Sequence, residues 1–125
     1  MISMDMIREA HEVVKAAGAV YTPVLNIPKI AENLYVKCEN LQKTGSFKLR
    51  GATYKISKLT EAEKAAGVIA ASAGNHAQGV ALSAQKKGIK ATICMPAGAP
   101  LAKVEATKSY GAEVVLYGNV YDEAC

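Results

Sequence analysis

The chain has 125 residues and a mass of 13.1 kDa, 50% hydrophobic and 21% charged, which fits one packed domain and argues against disorder. Its net charge of +4 comes from scattered lysines whose longest run is Lys86-Lys87, so neither a nucleic-acid nor a membrane-surface patch is expected. With no Trp and one Phe there is no aromatic platform for single strands; Cys38, Cys94 and Cys125 are odd in number and form no C-x-x-C, which argues against a zinc site or a disulfide framework and for a reducing, cytoplasmic compartment.

The first eight residues carry charges where a signal peptide needs an apolar run. A helix is predicted over 4–17, because Met6, Ile7, Ala10, Val13, Val14 and Ala17 recur at three and four, with Gly18 as its stop. Tyr21 to Leu25 reads as an extended piece interrupted by Pro23, and Asn33 to Cys38 as a short strand that pairs with it across the turn near Pro28. Ser46 is placed to cap a helix from Phe47 to about Lys58, and Thr60 to Glu63 form a capping box for a short helix ending before Gly67.

From Gly67 the pattern alternates. Val68–Ala71, Ala91–Met95 and Glu113–Tyr117 read as strands; His76–Lys87 and Pro100–Tyr110 read as helices, and a third helix begins at Asn119. Such alternation predicts an α/β fold, a three-layer open parallel sheet with flanking helices and right-handed crossovers. Ala65 to Gln85 holds no charged residue and imitates a membrane span, but Asn75, His76 and Gln78 sit near its middle. A buried strand, a turn and a buried helix explain the run better than hydrocarbon does. The last helix has barely one turn before Cys125, which reads as a truncated frame or a fragment.

In open parallel sheets, ligands bind beyond the carboxyl ends of the strands. The loop Ser72-Ala73-Gly74-Asn75-His76-Ala77-Gln78-Gly79 lies there, at a helix N-terminus whose free N–H groups favour an anion. Gly74 and Gly79 would let backbone approach a carboxylate or phosphate closely; the loop reads equally well as an ordinary turn with a capping Asn. Met95 to Pro100 reads as structural, and neither a G-x-G-x-x-G nor a P-loop motif is present. Lys48 falls in the first turn of a helix, whose positive end disfavours an ammonium, as a nucleophilic lysine requires; the alternative is one more surface lysine. Arg50 is expected on another face, in a salt bridge or at the surface. His11 and His76 are too few for a metal site, and His76 is expected to open a helix.

Ser46-Phe47-Lys48-Leu49-Arg50-Gly51-Ala52 resembles the lysine motif of fold-type II pyridoxal-phosphate enzymes, which share the tryptophan synthase β-like fold. The Ser72–Gly79 loop resembles their substrate-carboxylate loop, and Glu39-Asn40-Leu41-Gln42 leads into the first motif as it does there. The order and separation are those of the serine/threonine dehydratase family, nearest to the catabolic threonine ammonia-lyases, and the resemblance runs along nearly the whole chain. It implies pyridoxal 5'-phosphate as cofactor, held covalently by Lys48, with Phe47 packing on its ring and Asn75 hydrogen-bonding its 3'-oxygen. Ser72, Ala73, Gly74, Asn75 and His76 would bind the substrate carboxylate. Lys48 would then act as general base in an α,β-elimination of L-threonine or L-serine that yields 2-oxobutanoate or pyruvate and ammonia. Relatives that racemise serine typically carry a second Ser where this chain has Ala73, so elimination is expected over racemisation.

The resemblance further implies that residues 1–45 pack on a large domain and that 46–125 form an incomplete small α/β domain. The family's Gly-rich phosphate loop has no counterpart in these residues. The alternative expectation is therefore a non-catalytic fragment or small-molecule-binding module with weak or no cofactor binding. Apolar surface at the edge of its sheet should favour homo-oligomers or self-association.

Overall fold

The computed structural model describes residues 1–125. Helix α1 (Met4–Ala16) is capped by Ser3, whose side chain accepts from the Met6 N–H, and it buries Val14 against the rest of the chain. Strands β1 (Val24–Asn26) and β2 (Tyr35–Lys37) pair antiparallel, with Leu25 opposite Val36, as the sequence predicts. The second strand starts two residues later than expected because Asn33 has φ of 60°, a left-handed turn conformation that no strand holds. A 3-10 turn at Glu39–Leu41, which the sequence pattern does not reveal, turns the chain toward helix α2 (Lys48–Ser57).

Helix α3 (Glu61–Ala66) carries the predicted capping box, with Thr60 and Glu63 satisfying each other's backbone N–H. Gly67 joins it to β3 (Val68–Ala71) with φ of +91°; a Cβ there would lie 2.9 Å from the Lys90 carbonyl oxygen. Then follow α4 (Asn75–Gln85), β4 (Ala91–Met95), α5 (Leu101–Ser109), β5 (Glu113–Leu116) and α6 (Tyr121–Ala124). Helix α5 begins one residue later than predicted, since Pro100 has an extended ψ of 127° and stands before the helix as its cap.

The three strands are parallel in the order β3-β4-β5, with Ala70 opposite Ile93 and Ile93 opposite Val114. Alternation along β4 sends Ala91, Ile93 and Met95 to one face, where all three are buried. They join Ala77, Val80, Ala81 and Ala84 of α4, Val104 of α5, and Ala52 and Ile56 of α2 in one core. This is the expected parallel sheet with flanking helices. Every residue from Ala77 to Ala84 is buried, which accounts for the charge-free run, and no helix is long and apolar enough to cross a membrane. The other sheet face carries Ile69, 79% exposed, and Val115, 40% exposed.

The parallel order puts the starts of α4 and α5 at the same edge of the sheet. Helix α2 lies on α4, and the buried hydroxyls of Thr53 and Ser83 meet between them at 2.9 Å.

Candidate active site

The approach to Lys48 is fixed by polar contacts. Glu39 accepts from Arg50 Nε and Nη2, each at 2.8 Å, a two-pronged pairing across the turn. The fully buried Thr22 hydroxyl donates to the same carboxylate at 2.6 Å. Gln42 closes a second pair, accepting from the Val20 N–H at 3.0 Å and donating to the Val20 carbonyl at 2.6 Å. Residues 39–42 are thus tied both to the N-terminal segment and to α2. The Arg50 guanidinium first, then the Thr22 hydroxyl, outweigh burial and hold the Glu39 carboxyl at about 2, against an ordinary 4.5.

A depressed carboxyl contributes stability that is complete above its ordinary range and is lost as pH falls toward its folded value. Glu39→Gln is therefore expected to destabilise the chain by about 2 kcal/mol at pH 7, the scale of a hydrogen bond to a charged group. In chemical denaturation, the gap between the two proteins should narrow from pH 5 downward and nearly close at pH 2. A gap that stays constant over that window would show that the pairing contributes nothing. Glu9 and Glu63 are also lowered, but they titrate alike in both proteins and cancel in the difference.

Lys48 opens α2; the cap position falls on Phe47 rather than on Ser46 as expected, and the Lys48 N–H donates at 3.3 Å to Ser46 Oγ, one residue farther out. Phe47 already has helical angles, although the regular helix begins one residue after it. The Lys48 ammonium lies 5.3 Å from the centroid of the Phe47 ring, and that ring is 60% exposed. Four residues upstream, Thr44 Oγ1 is buried with no hydrogen-bond partner, alone among the side chains of the molecule. Arg50 falls on another face, as expected, in the pairing with Glu39.

The second loop leaves β3 at its carboxyl end. The Ser72 N–H extends the ladder to the Cys94 carbonyl at 3.0 Å, and Ser72 Oγ accepts from the Gly74 N–H at 3.2 Å. Ala73 packs its methyl against the core. No side chain caps α4. Asn75 is its first residue rather than its cap, so the turn with a capping Asn is not what forms. The N–H groups of the first turn consequently keep the outward direction that suits an anion. His76 is exposed on that turn and lines a shallow cavity with Gly51, Lys55 and Ile69, between α2 and β3.

Gly79 corrects an expectation. A Cβ on it would lie 3.1 Å from both the carbonyl carbon and the oxygen of Lys48 and 3.2 Å from the Leu49 nitrogen. What approaches this glycine closely is the backbone of the lysine helix, not a ligand. At Gly74 a Cβ would meet nothing within 4 Å. Gly79 thereby lets the Lys48 backbone pack on the first turns of α4, and the two motifs lie against each other. Sequence reasoning also missed Lys103, which reaches from α5 to Asn75, Nζ donating to Oδ1 at 3.2 Å. Lys103 carries no motif signal; only the parallel topology could have pointed to it. No cluster of His, Cys, Asp or Glu is built to hold a metal ion.

Comparison with known proteins bears on the same residues. The family described as "Pyridoxal-phosphate dependent enzyme" matches residues 16–125. The chain is 54% identical to the L-threonine ammonia-lyase of Thermotoga maritima over 99% of its own length and 32% of that protein. It is 60% identical to the catabolic L-threonine dehydratase TdcB of Staphylococcus aureus over 73% of its own length and 26% of that protein. Maize serine racemase superposes with a TM-score of 0.89 at 38% identity, over 98% of the chain and 38% of the racemase. The chain thus spans a third or less of the length of these curated relatives.

The donor set fits pyridoxal phosphate. A lysine amine stands beside an open aromatic face, an orphaned buried hydroxyl lies just upstream, and the neighbouring helix start has no cap. A lysine helix seated against a glycine of the loop helix, under a family match that runs from residue 16 to the last residue, leaves one conclusion: the chain belongs to the pyridoxal-phosphate dependent enzymes.

Proposed function

We propose that, in a polypeptide of the relatives' length, these residues supply the reactive lysine and the carboxylate loop of an α,β-elimination. The substrate is L-threonine or L-serine, and the products are a 2-keto acid and ammonia. One observation carries the reading: the Lys48 backbone packs on Gly79, so that the lysine motif and the loop helix are held against each other.

Pyridoxal phosphate, when bound, supplies the electron sink that makes the substrate Cα proton removable. Lys48 would provide the amine that holds the cofactor and the general base for the substrate Cα proton. Phe47 offers its exposed ring as a stacking face. Asn75 would donate to the cofactor's 3'-oxygen. Ser72, Ala73, Gly74 and His76 with Asn75 form the loop that orients the substrate carboxylate against the uncapped start of α4. The Ala73 methyl has no acidic proton to deliver to Cα, which favours elimination over racemisation.

Residues 1–45 form the segment that packs on a larger domain, and 46–125 the small α/β domain; the Glu39–Arg50 pairing spans the joint. Three free cysteines support a reducing, cytoplasmic setting. Exposed Ile69 and Val115 support self-association through the uncovered sheet face.

The test is covalent trapping. Borohydride reduction in the presence of pyridoxal phosphate, followed by peptide mapping, is expected to place one stoichiometric adduct on Lys48 and none on the other lysines. An adduct spread over many lysines overturns the assignment.

A further inference from the structure

Asn75 is exposed at the start of α4, yet its carboxamide has a partner. Lys103 Nζ, from a helix 28 residues away, donates to Asn75 Oδ1 at 3.2 Å. An ammonium has three donors and no acceptor, so only the oxygen end of the amide can face it. The NH2 end is thereby turned outward, as a donor with no acceptor within the chain.

The backbone that carries Lys103 is well held. Its carbonyl accepts from the Thr107 hydroxyl at 2.8 Å, and Thr107 and Val104 are buried, at 0% and 4% exposure. Its charge is not directed at a carboxylate. Lys108, one turn on, pairs with Glu105 at 3.5 Å, whereas Lys103 turns to the amide alone.

We propose that Lys103 is a positioning residue that locks the Asn75 carboxamide with Nδ2 presented to the phenolic oxygen of the cofactor. The inference rests on the assignment of Asn75 above and adds the group that orients it. A phenolate oxygen is an acceptor; an amide that presented its own oxygen would repel it. Without the lock, the amide populates both orientations and pays for the correct one on each binding event.

The experiment compares the parent with Lys103→Met and Lys103→Arg. In the 125-residue chain, nitrogen-15 NMR reads the Asn75 side-chain NH2. The methionine variant should shift this pair and bring its dynamics to those of the exposed Asn40 and Asn119, with the backbone spectrum otherwise unchanged. The arginine variant should keep most of the order. In the polypeptide of the relatives' length, Lys103→Met should weaken pyridoxal phosphate binding ~10-fold, the scale of one charge-assisted hydrogen bond, and shift the cofactor's absorbance, with recovery in Lys103→Arg.

An NH2 signal unchanged in Lys103→Met overturns the lock. A lost lock with unchanged cofactor affinity and absorbance overturns the positioning role. If the parent takes up no cofactor at Lys48, the proposed function fails, and the NMR result still decides the contact.

Discussion

Lys48→Ala, in a polypeptide of the relatives' length, is expected to lower L-threonine turnover by ~10,000-fold or more, because the proposed function makes one side chain both the attachment point and the base. The same change should leave stability nearly untouched. The Lys48 side chain is exposed and lies over the face of Phe47. Its removal opens no cavity. Helix α2 is anchored instead by Leu49, at 1% exposure, and by Ala52 and Ile56. Alanine is also the best helix former, so the unfolding free energy should change by no more than ~0.5 kcal/mol. Lys55→Ala, an exposed lysine of the same helix, is the control and should leave turnover unchanged. Turnover within ~10-fold of the parent in Lys48→Ala would end the assignment, since no second amine stands in the same position.

The elements of the sheet were legible because their signals are local. Val68–Ala71 and Ala91–Met95 are short apolar runs closed by Gly, Pro or polar residues, and both are strands at those bounds. The capping box at Thr60 is a four-residue pattern, and it forms as written. What stayed hidden depends on tertiary placement. Glu39 meets Arg50 and Thr22 across 11 and 17 residues, and nothing in the intervening sequence marks them as partners. Asn33 and Pro100 moved element ends by their own backbone angles, which a hydrophobic pattern does not record. Lys103 looked like any surface lysine until the parallel order placed the start of α5 beside that of α4. Of the candidate site, Lys48 and the Ser72–Gly79 loop stood out as motifs, but the contacts that Gly79 and Lys103 make did not.

Gly79 shows how that difference can be measured. A glycine in a strand-to-helix loop suggests ligand contact, and the packing of α2 on α4 assigns it another partner. In Gly79→Ala the new methyl would meet the Lys48 carbonyl carbon and oxygen at 3.1 Å. These are backbone atoms and cannot swing aside, so the two helices must separate by a few tenths of an ångström. Overpacking of this kind costs about 1–3 kcal/mol, against a gain of about 1 kcal/mol from alanine's helix propensity. The net loss should therefore be about 1 kcal/mol. Gly51→Ala, on the exposed side of α2 with nothing within 4 Å of its Cβ, isolates the propensity gain and should stabilise the chain by about 1 kcal/mol. Activity should respond more steeply than stability. The displacement falls on the lysine proposed to reach Cα, and misplacement on the ångström scale costs up to ~100-fold in rate. A drop of ~10- to 100-fold in kcat, with the Lys48 adduct still forming, is the expected result for Gly79→Ala. Unchanged kcat and unchanged stability would mean that the helices part without moving Lys48, and the contact would then have no part in aiming it.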